Sequence, residues 1–281
     1  MTMQPISVRS YLEYQVAAPT NFLLNVAAAQ TEHQTIQVEN LSIDPPVNAQ
    51  ACRIGLEQNR FHRLSVQPGT LKVEYTASVL LTPVTEDTPQ IKQGEYDQLP
   101  PEVLVYLNPS RYCESDRLAN YASAEFGSMD ADFDRVNSIC DWICERIEYR
   151  SGTTNYLTTA CDVLVQRCGV CRDFAHLAIA FCRALGVPAR YVSGYACRLN
   201  PPDFHGFFEA YLDDRWYLFD ATRLAPPAGL VRIGVGRDAA DTAFATIIGQ
   251  ATLQSMSVEA KESGQEGLLE QEVSQTAVST A

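Results

Sequence analysis

The sequence predicts an α+β protein, with an N-terminal β-sandwich followed by a domain in which one helix packs on an antiparallel sheet. Three observations carry this expectation. Apolar residues alternate with polar ones at Ile6, Val8, Leu12, Tyr14 and Val16, and again from Leu71 to Leu81 after the Pro68-Gly69 turn. Between residues 115 and 185 the apolar positions recur at helical spacing instead. Strand-like runs then return at 188–197, 205–212 and 215–220. A helical block followed by adjacent strands is the order of an α+β domain.

In chain order, residues 1–82 hold the two long alternating runs, with shorter ones near 21–27, 34–43, 50–55 and 61–66. Short strands at close spacing with Pro and Gly between them make a small sandwich. Residues 83–110 read as a linker, because 83–101 are rich in Pro and polar residues. One helix follows and stops at Gly127. A second spans roughly 131–148 and buries Phe133, Val136, Ile139, Cys140, Ile143 and Ile147. The polar stretch from Tyr149 to Thr159 reads as a groove-lining loop or a plain connector. A short helix near 160–166 then leads to Cys171. There a strongly apolar helix begins, with Phe174, Leu177, Ala178, Phe181 and Leu185 on its buried face, and Gly186 and Pro188 end it. Residues 229–257 read as the edge of this second domain, which therefore covers 111–258. From Glu259 onward Glu, Gln, Ser, Thr and Ala dominate, so residues 259–281 are expected to be a disordered tail.

Cys171 is the position where chemistry is expected. A cysteine at a helix start meets unpaired backbone N–H groups and the positive end of the helix dipole, and both favour the nucleophilic thiolate. The same N–H groups suit an oxyanion formed when sulfur attacks an acyl carbon. A base lies downstream at His205, in the first of two strand-like runs that flank Asp213-Asp214. A two-residue turn there pairs Leu212 with Arg215 and Phe207 with Asp220. His205 is then diagonal to Asp220 on one face of the hairpin. A four-residue loop keeps this pairing and a three-residue loop breaks it. Cys171, His205 and Asp220 are thus the expected nucleophile, base and orienting acid.

The stretches GVCRDFAHLAIAFCRALGVPARYVSGY and HGFFEAYLDDRWYLFDAT resemble the core of the bacterial transglutaminase-like superfamily, also described as transglutaminase-like cysteine proteases. The likeness runs through roughly residues 111–225 and keeps the order Cys, His, Asp. Gly206 and Phe207 stand where the family often has Ala and Trp, and Asp220-Ala221-Thr222 replaces Asp-Pro-Thr. The N-terminal segment resembles the β domain often joined to such cores. The resemblance implies a papain-like, transglutaminase-core fold. It also implies thiol-dependent acyl chemistry on a peptide, protein or carboxamide substrate, with hydrolysis favoured over crosslinking. No cofactor or metal is called for by such a mechanism. The alternative is a protein-binding module on the same scaffold, with the sandwich making the partner contacts. An oxyanion-hole side chain is also expected upstream of Cys171, with Tyr156 as a candidate.

Other features have blander readings. Cys168 and Cys171 form a C-x-x-C pair, but no second pair completes a zinc site and no βαβ pattern marks a thioredoxin-like one. His33, His62 and His176 are read as structural, as is Asp173 in the first turn of the Cys171 helix. Trp216 and Leu218 are read as core. The net charge of −13 argues against nucleic acid and against an anionic membrane surface. The nine cysteines are odd in number, and several lie on apolar helical faces, as expected of free thiols in a reducing compartment. With no long apolar run near the N-terminus, a cytoplasmic protein is expected.

Overall fold

The computed structural model describes residues 5–88, 91–262 and 276–281. The N-terminal part is a sandwich of two four-stranded antiparallel sheets. Its strands are β1 (Ile6–Val16), β2 (Thr20–Leu24), β3 (Gln34–Asp44), β4 (Gln50–Ile54), β5 (Asn59–Val66) and β6 (Gly69–Leu81). The alternation seen in the sequence is the burial pattern. Leu12, Tyr14, Val73, Tyr75 and Val79 face the core at 1% exposure or less, whereas their neighbours in the strand are more open.

The sandwich does not close within residues 1–82. The chain returns to it near the C-terminus with β14 (Ala245–Ile248), beside β2, and β15 (Ala251–Glu262), beside β1. Residues 245–258 therefore belong to the sandwich and not to the edge of the second domain. Nor is 259–281 wholly a loose tail, since β15 runs on until Glu262 pairs with Ile6. Its charged residues are those of an edge strand, where charge blocks further pairing. Farther on, β16 (Thr276–Ser279) pairs with β7 (Val84–Asp87), and Ala277, Ser279 and Thr280 are buried. The rest of the expected tail, residues 263–275, lies outside the described residues. The linker is likewise more ordered than its composition suggests. It contributes β7, buries Ile91 and Tyr106, and accepts the Phe133 N–H on the Ile91 carbonyl.

The second unit is α+β. Helices α1 (Ser115–Phe126), α2 (Phe133–Arg146) and α3 (Ala160–Gln166) surround α4 (Cys171–Ala184). The two-residue strands β8 (Glu148–Tyr149) and β9 (Cys168–Gly169) pair in parallel just ahead of α4. Strands β10 (Ala189–Ala196), β11 (Phe204–Leu212), β12 (Arg215–Phe219) and β13 (Leu230–Gly236) form an antiparallel sheet in the order β12-β11-β10-β13. Phe174, Leu177, Ala178 and Phe181 of α4 share one core with Phe208, Ala210, Leu212 and Phe219 of that sheet. This packing brings the start of α4 to the start of β11.

The two units also share a core. Tyr195, Cys197, Val231 and Ile233 of the second sheet pack with the sandwich interior. Polar contacts cross the junction. Tyr195 donates to the Val26 carbonyl at 2.7 Å, and the Asn59 side chain exchanges hydrogen bonds with the Val235 backbone at 2.7 and 2.9 Å.

Candidate active site

The hairpin forms with the two-residue turn. Leu212 pairs with Arg215 and Phe208 with Phe219, and Asp213 and Asp214 both take positive φ. That register brings His205 and Asp220 together, with His205 Nε2 at 3.1 Å from Asp220 Oδ2. Both side chains are buried, at 1% and 2% exposure. Asp220 is held by its own loop. Its Oδ1 accepts from the Thr222 N–H and hydroxyl, and its Oδ2 from the N–H groups of Leu224 and Ala225. The loop is in turn pinned to α2. Arg223 donates to Asn137 and Asp141, and the Cys144 thiol donates to the Thr222 carbonyl at 3.6 Å.

Burial opposes a charge on His205, but its hydrogen bonds to Asp220 and with Cys171 outweigh this and raise the imidazole to about 10. Burial likewise opposes ionisation of Asp220, yet the contacts with His205 and Thr222 bring its carboxyl below the usual range. With Nε2 committed to Asp220, Nδ1 makes no well-formed hydrogen bond within the fold. It is the ring nitrogen that Asp220 does not engage.

Cys171 is half-buried at the first position of α4. Its thiol donates to the Phe204 carbonyl at 3.9 Å, one residue before His205. The start of the helix is fixed by Asp173. Its Oδ2 accepts from the Val170 N–H at 2.9 Å and the Thr154 hydroxyl at 2.6 Å, while Oδ1 pairs with Arg172. Gly169 is required there, because a β-carbon on it would come within 2.8 Å of the Asp173 Cβ.

One side chain at the sulfur was not singled out from the sequence. Tyr149 ends β8, and the β8–β9 pairing brings its hydroxyl near Cys171, where it interacts with both the backbone N–H and the sulfur. Burial raises its pKa, and so does the neighbouring sulfur. Tyr156, the upstream candidate, is exposed at 74%, and its carbonyl accepts the Tyr112 hydroxyl. Tyr149, and not Tyr156, is therefore the upstream tyrosine beside Cys171. The Ile-Glu-Tyr run just after α2 was the only available signal, and it looks like an ordinary strand start.

The remaining candidates have structural surroundings. His176 is buried between Tyr112 and Tyr191, accepts the Ala239 N–H at 3.1 Å, and is pushed by burial down to about 3. Cys168 lies in β9, paired with Glu148. Leu218 joins the core beside Phe207, and Trp216 lies under the Arg190 guanidinium at 4.0 Å. A cavity of about 360 Å³ opens between the sandwich and the second sheet, but its lining includes none of Cys171, His205 or Asp220. Those three residues lie elsewhere, where the start of α4 meets the start of β11. Among the described residues no helix is long and apolar enough to cross a membrane.

Comparison with known proteins finds two family models on separate parts of the chain. The model of the transglutaminase-like superfamily matches residues 120–221, and that of the bacterial transglutaminase N-terminal domain matches residues 4–91. The crystal structure of a candidate cysteine protease from Cytophaga hutchinsonii is 41% identical, covers 100% of this chain and 99% of that one, and superposes with a TM-score of 0.95. The periplasmic domain of TgpA from Pseudomonas aeruginosa, 15% identical over 81% of this chain and 92% of its own, gives a TM-score of only 0.40. An uncharacterized protein of Mycobacterium leprae is 34% identical over 36% of this chain, and one of Mycobacterium tuberculosis is 36% identical over 46%. These matches span 39% of the length of each mycobacterial relative.

Proposed function

Because the chain belongs to the transglutaminase-like superfamily, we propose that it performs thiol-dependent acyl chemistry on peptide or carboxamide substrates, with Cys171, His205 and Asp220 as its triad. The observation that carries this reading is the buried His205–Asp220 pair, whose second imidazole nitrogen is left open beside the sulfur. Cys171 attacks the acyl carbon as thiolate, and a carbon–sulfur bond forms. The oxyanion takes hydrogen bonds from the Cys171 N–H and the Tyr149 hydroxyl. The His205 imidazolium then gives its proton to the departing amine as the carbon–nitrogen bond breaks. Neutral His205 next takes a proton from water, which attacks the thioester and releases the acid and the thiol. Hydrolysis is favoured over transfer to an amine, because the half-buried sulfur and exposed rim leave the thioester open to water. We further propose that the site acts on peptides in the cytoplasm and not on nucleic acid or membrane.

The test is limiting iodoacetamide with mass-spectrometric site assignment, across pH, on the wild type, Cys171→Ala, Cys168→Ser, His205→Ala and Asp220→Asn. Cys171 should be modified first at neutral pH, with turnover lost in step. The folded imidazolium persists to about pH 10, so the rate advantage of the wild type over His205→Ala should hold at neutral pH and vanish as pH rises through that value. Turnover should fall by about 10²–10⁴-fold in Asp220→Asn. A folded Cys171→Ala protein that keeps its biological activity would instead mark a binding scaffold. Equal losses in Cys168→Ser and Cys171→Ala would replace the single nucleophile with a dithiol site.

A further inference from the structure

Asp203 lies beside the proposed site. It immediately precedes Phe204, whose carbonyl receives the Cys171 thiol proton, and lies two residues before His205. The residue is exposed, and its Oδ1 accepts the Phe204 N–H at 2.7 Å. The carboxylate is near enough to His205 and to the Tyr149 hydroxyl to interact electrostatically with both. Among the described residues no lysine or arginine pairs with it. Arg172, beside the nucleophile, is already held by Asp173. Desolvation by the surrounding chain raises the Asp203 carboxyl above its usual range, against the opposing effects of the Phe204 N–H and His205. A cation arriving there would reverse that effect, since an opposite charge favours the ionised form.

We infer that Asp203 selects substrates carrying a positive charge on the leaving-amine side of the bond attacked by Cys171. The side follows from chemistry already assigned. His205 protonates the departing nitrogen, so the group attached to that nitrogen passes His205 and the neighbouring Asp203. A basic side chain there, such as the ammonium of a lysine residue, meets an exposed carboxylate that no lysine or arginine among the described residues neutralises. The overall charge of −13 adds a long-range attraction for the same substrates. This inference rests on the proposed role of Cys171 and names the substrate class for that site.

The experiment uses the full chain and internally quenched peptides, randomised on the acyl side and carrying Lys, norleucine or Glu at the first leaving-side position. For the wild type, kcat/KM should rank Lys above norleucine above Glu, with Lys ahead of norleucine by about tenfold at low salt and less at high salt. Asp203→Asn should bring the Lys peptides to within about twofold of the norleucine peptides, because only the charge is removed. Asp203→Lys should invert the order and favour Glu. Measurable turnover with no preference for Lys, or a preference that survives in Asp203→Asn, overturns the assignment of Asp203 alone. No turnover of any peptide by the wild type overturns it together with the proposed function.

Discussion

Gly206 follows His205 in β11, and Tyr191 of the neighbouring strand occupies the space that a side chain there would take. A β-carbon on Gly206 would lie 2.5 Å from the Tyr191 hydroxyl and 3.1 Å from two of its ring carbons. The departure from the more common Ala is therefore matched by a tyrosine hydroxyl in β10, close to Cys171. Gly206→Ala should destabilise the protein by roughly 1–3 kcal/mol, the usual range for an overpacked core, and should lower kcat/KM by shifting His205. Adding Tyr191→Phe should return part of the stability, because the closest contact is with the hydroxyl. Thermal melts of both variants check this, and a single variant as stable as the wild type would show that Tyr191 is free to move aside. At this scale the sequence is explicit about side chains with distinctive chemistry and silent about atoms that make room. Cys171, His205 and Asp220 have chemically distinctive side chains in a recognisable order. Tyr149 and Tyr191 matter through positions set by pairing with other strands, which nothing near them in the chain announces.

The start of α4 is built by one acid. Asp173 is 1% exposed and accepts from the Val170 N–H, the Thr154 hydroxyl and Arg172. It thus joins the helix, the 150–159 loop and the strand that carries Gly169. Asp173→Ala should leave these donors without their acceptor, at a cost of about 1–3 kcal/mol per buried group left unsatisfied. It should also slow alkylation of Cys171, whose sulfur depends on the helix start for its placement. Asp173→Asn keeps an acceptor oxygen and should recover much of the stability. Unchanged alkylation in a folded Asp173→Ala protein would show that the nucleophile is placed without it. Helices α2, α3 and α4 were legible because their apolar faces repeat over several turns, and the β11–β12 hairpin because Asp213-Asp214 separates two apolar runs. The parallel β8–β9 pair was not, since two residues give no periodicity, and with it went the placement of Tyr149.

At the scale of the whole molecule, the chain folds back on its own beginning. The first alternating runs were legible because each buries nearly every second residue. The return of β14 and β15 was not. Leu253 and Met256 are 38% and 37% exposed, so β15 has a weak apolar stripe, and its partner β1 is hundreds of residues earlier. The last residues reach a buried ionic cluster. Glu209 pairs with Arg190 at 2.7 Å and with Arg232, and Arg232 donates to the Thr280 hydroxyl at 2.9 Å. Burial opposes the Glu209 charge, but the two guanidinium groups outweigh it and hold the carboxyl down at about 2. A carboxyl depressed on folding contributes stability that is present above its unfolded pKa, about 4.5, and is lost as pH falls toward its folded value. Deleting residues 276–281 removes β16 and Thr280 and opens Arg232 to water, which weakens its hold on Glu209. The deletion should cost roughly 1.5–3 kcal/mol near neutral pH, as expected when a charged group loses a hydrogen bond. It should also move acid unfolding to higher pH, because Glu209 then takes up its proton earlier. Thermal melts at pH 7 and a series from pH 5 down to pH 2 measure both effects. Identical melting and identical acid profiles for the deletion variant and the full chain would mean that the C-terminal strand covers the cluster without supporting it.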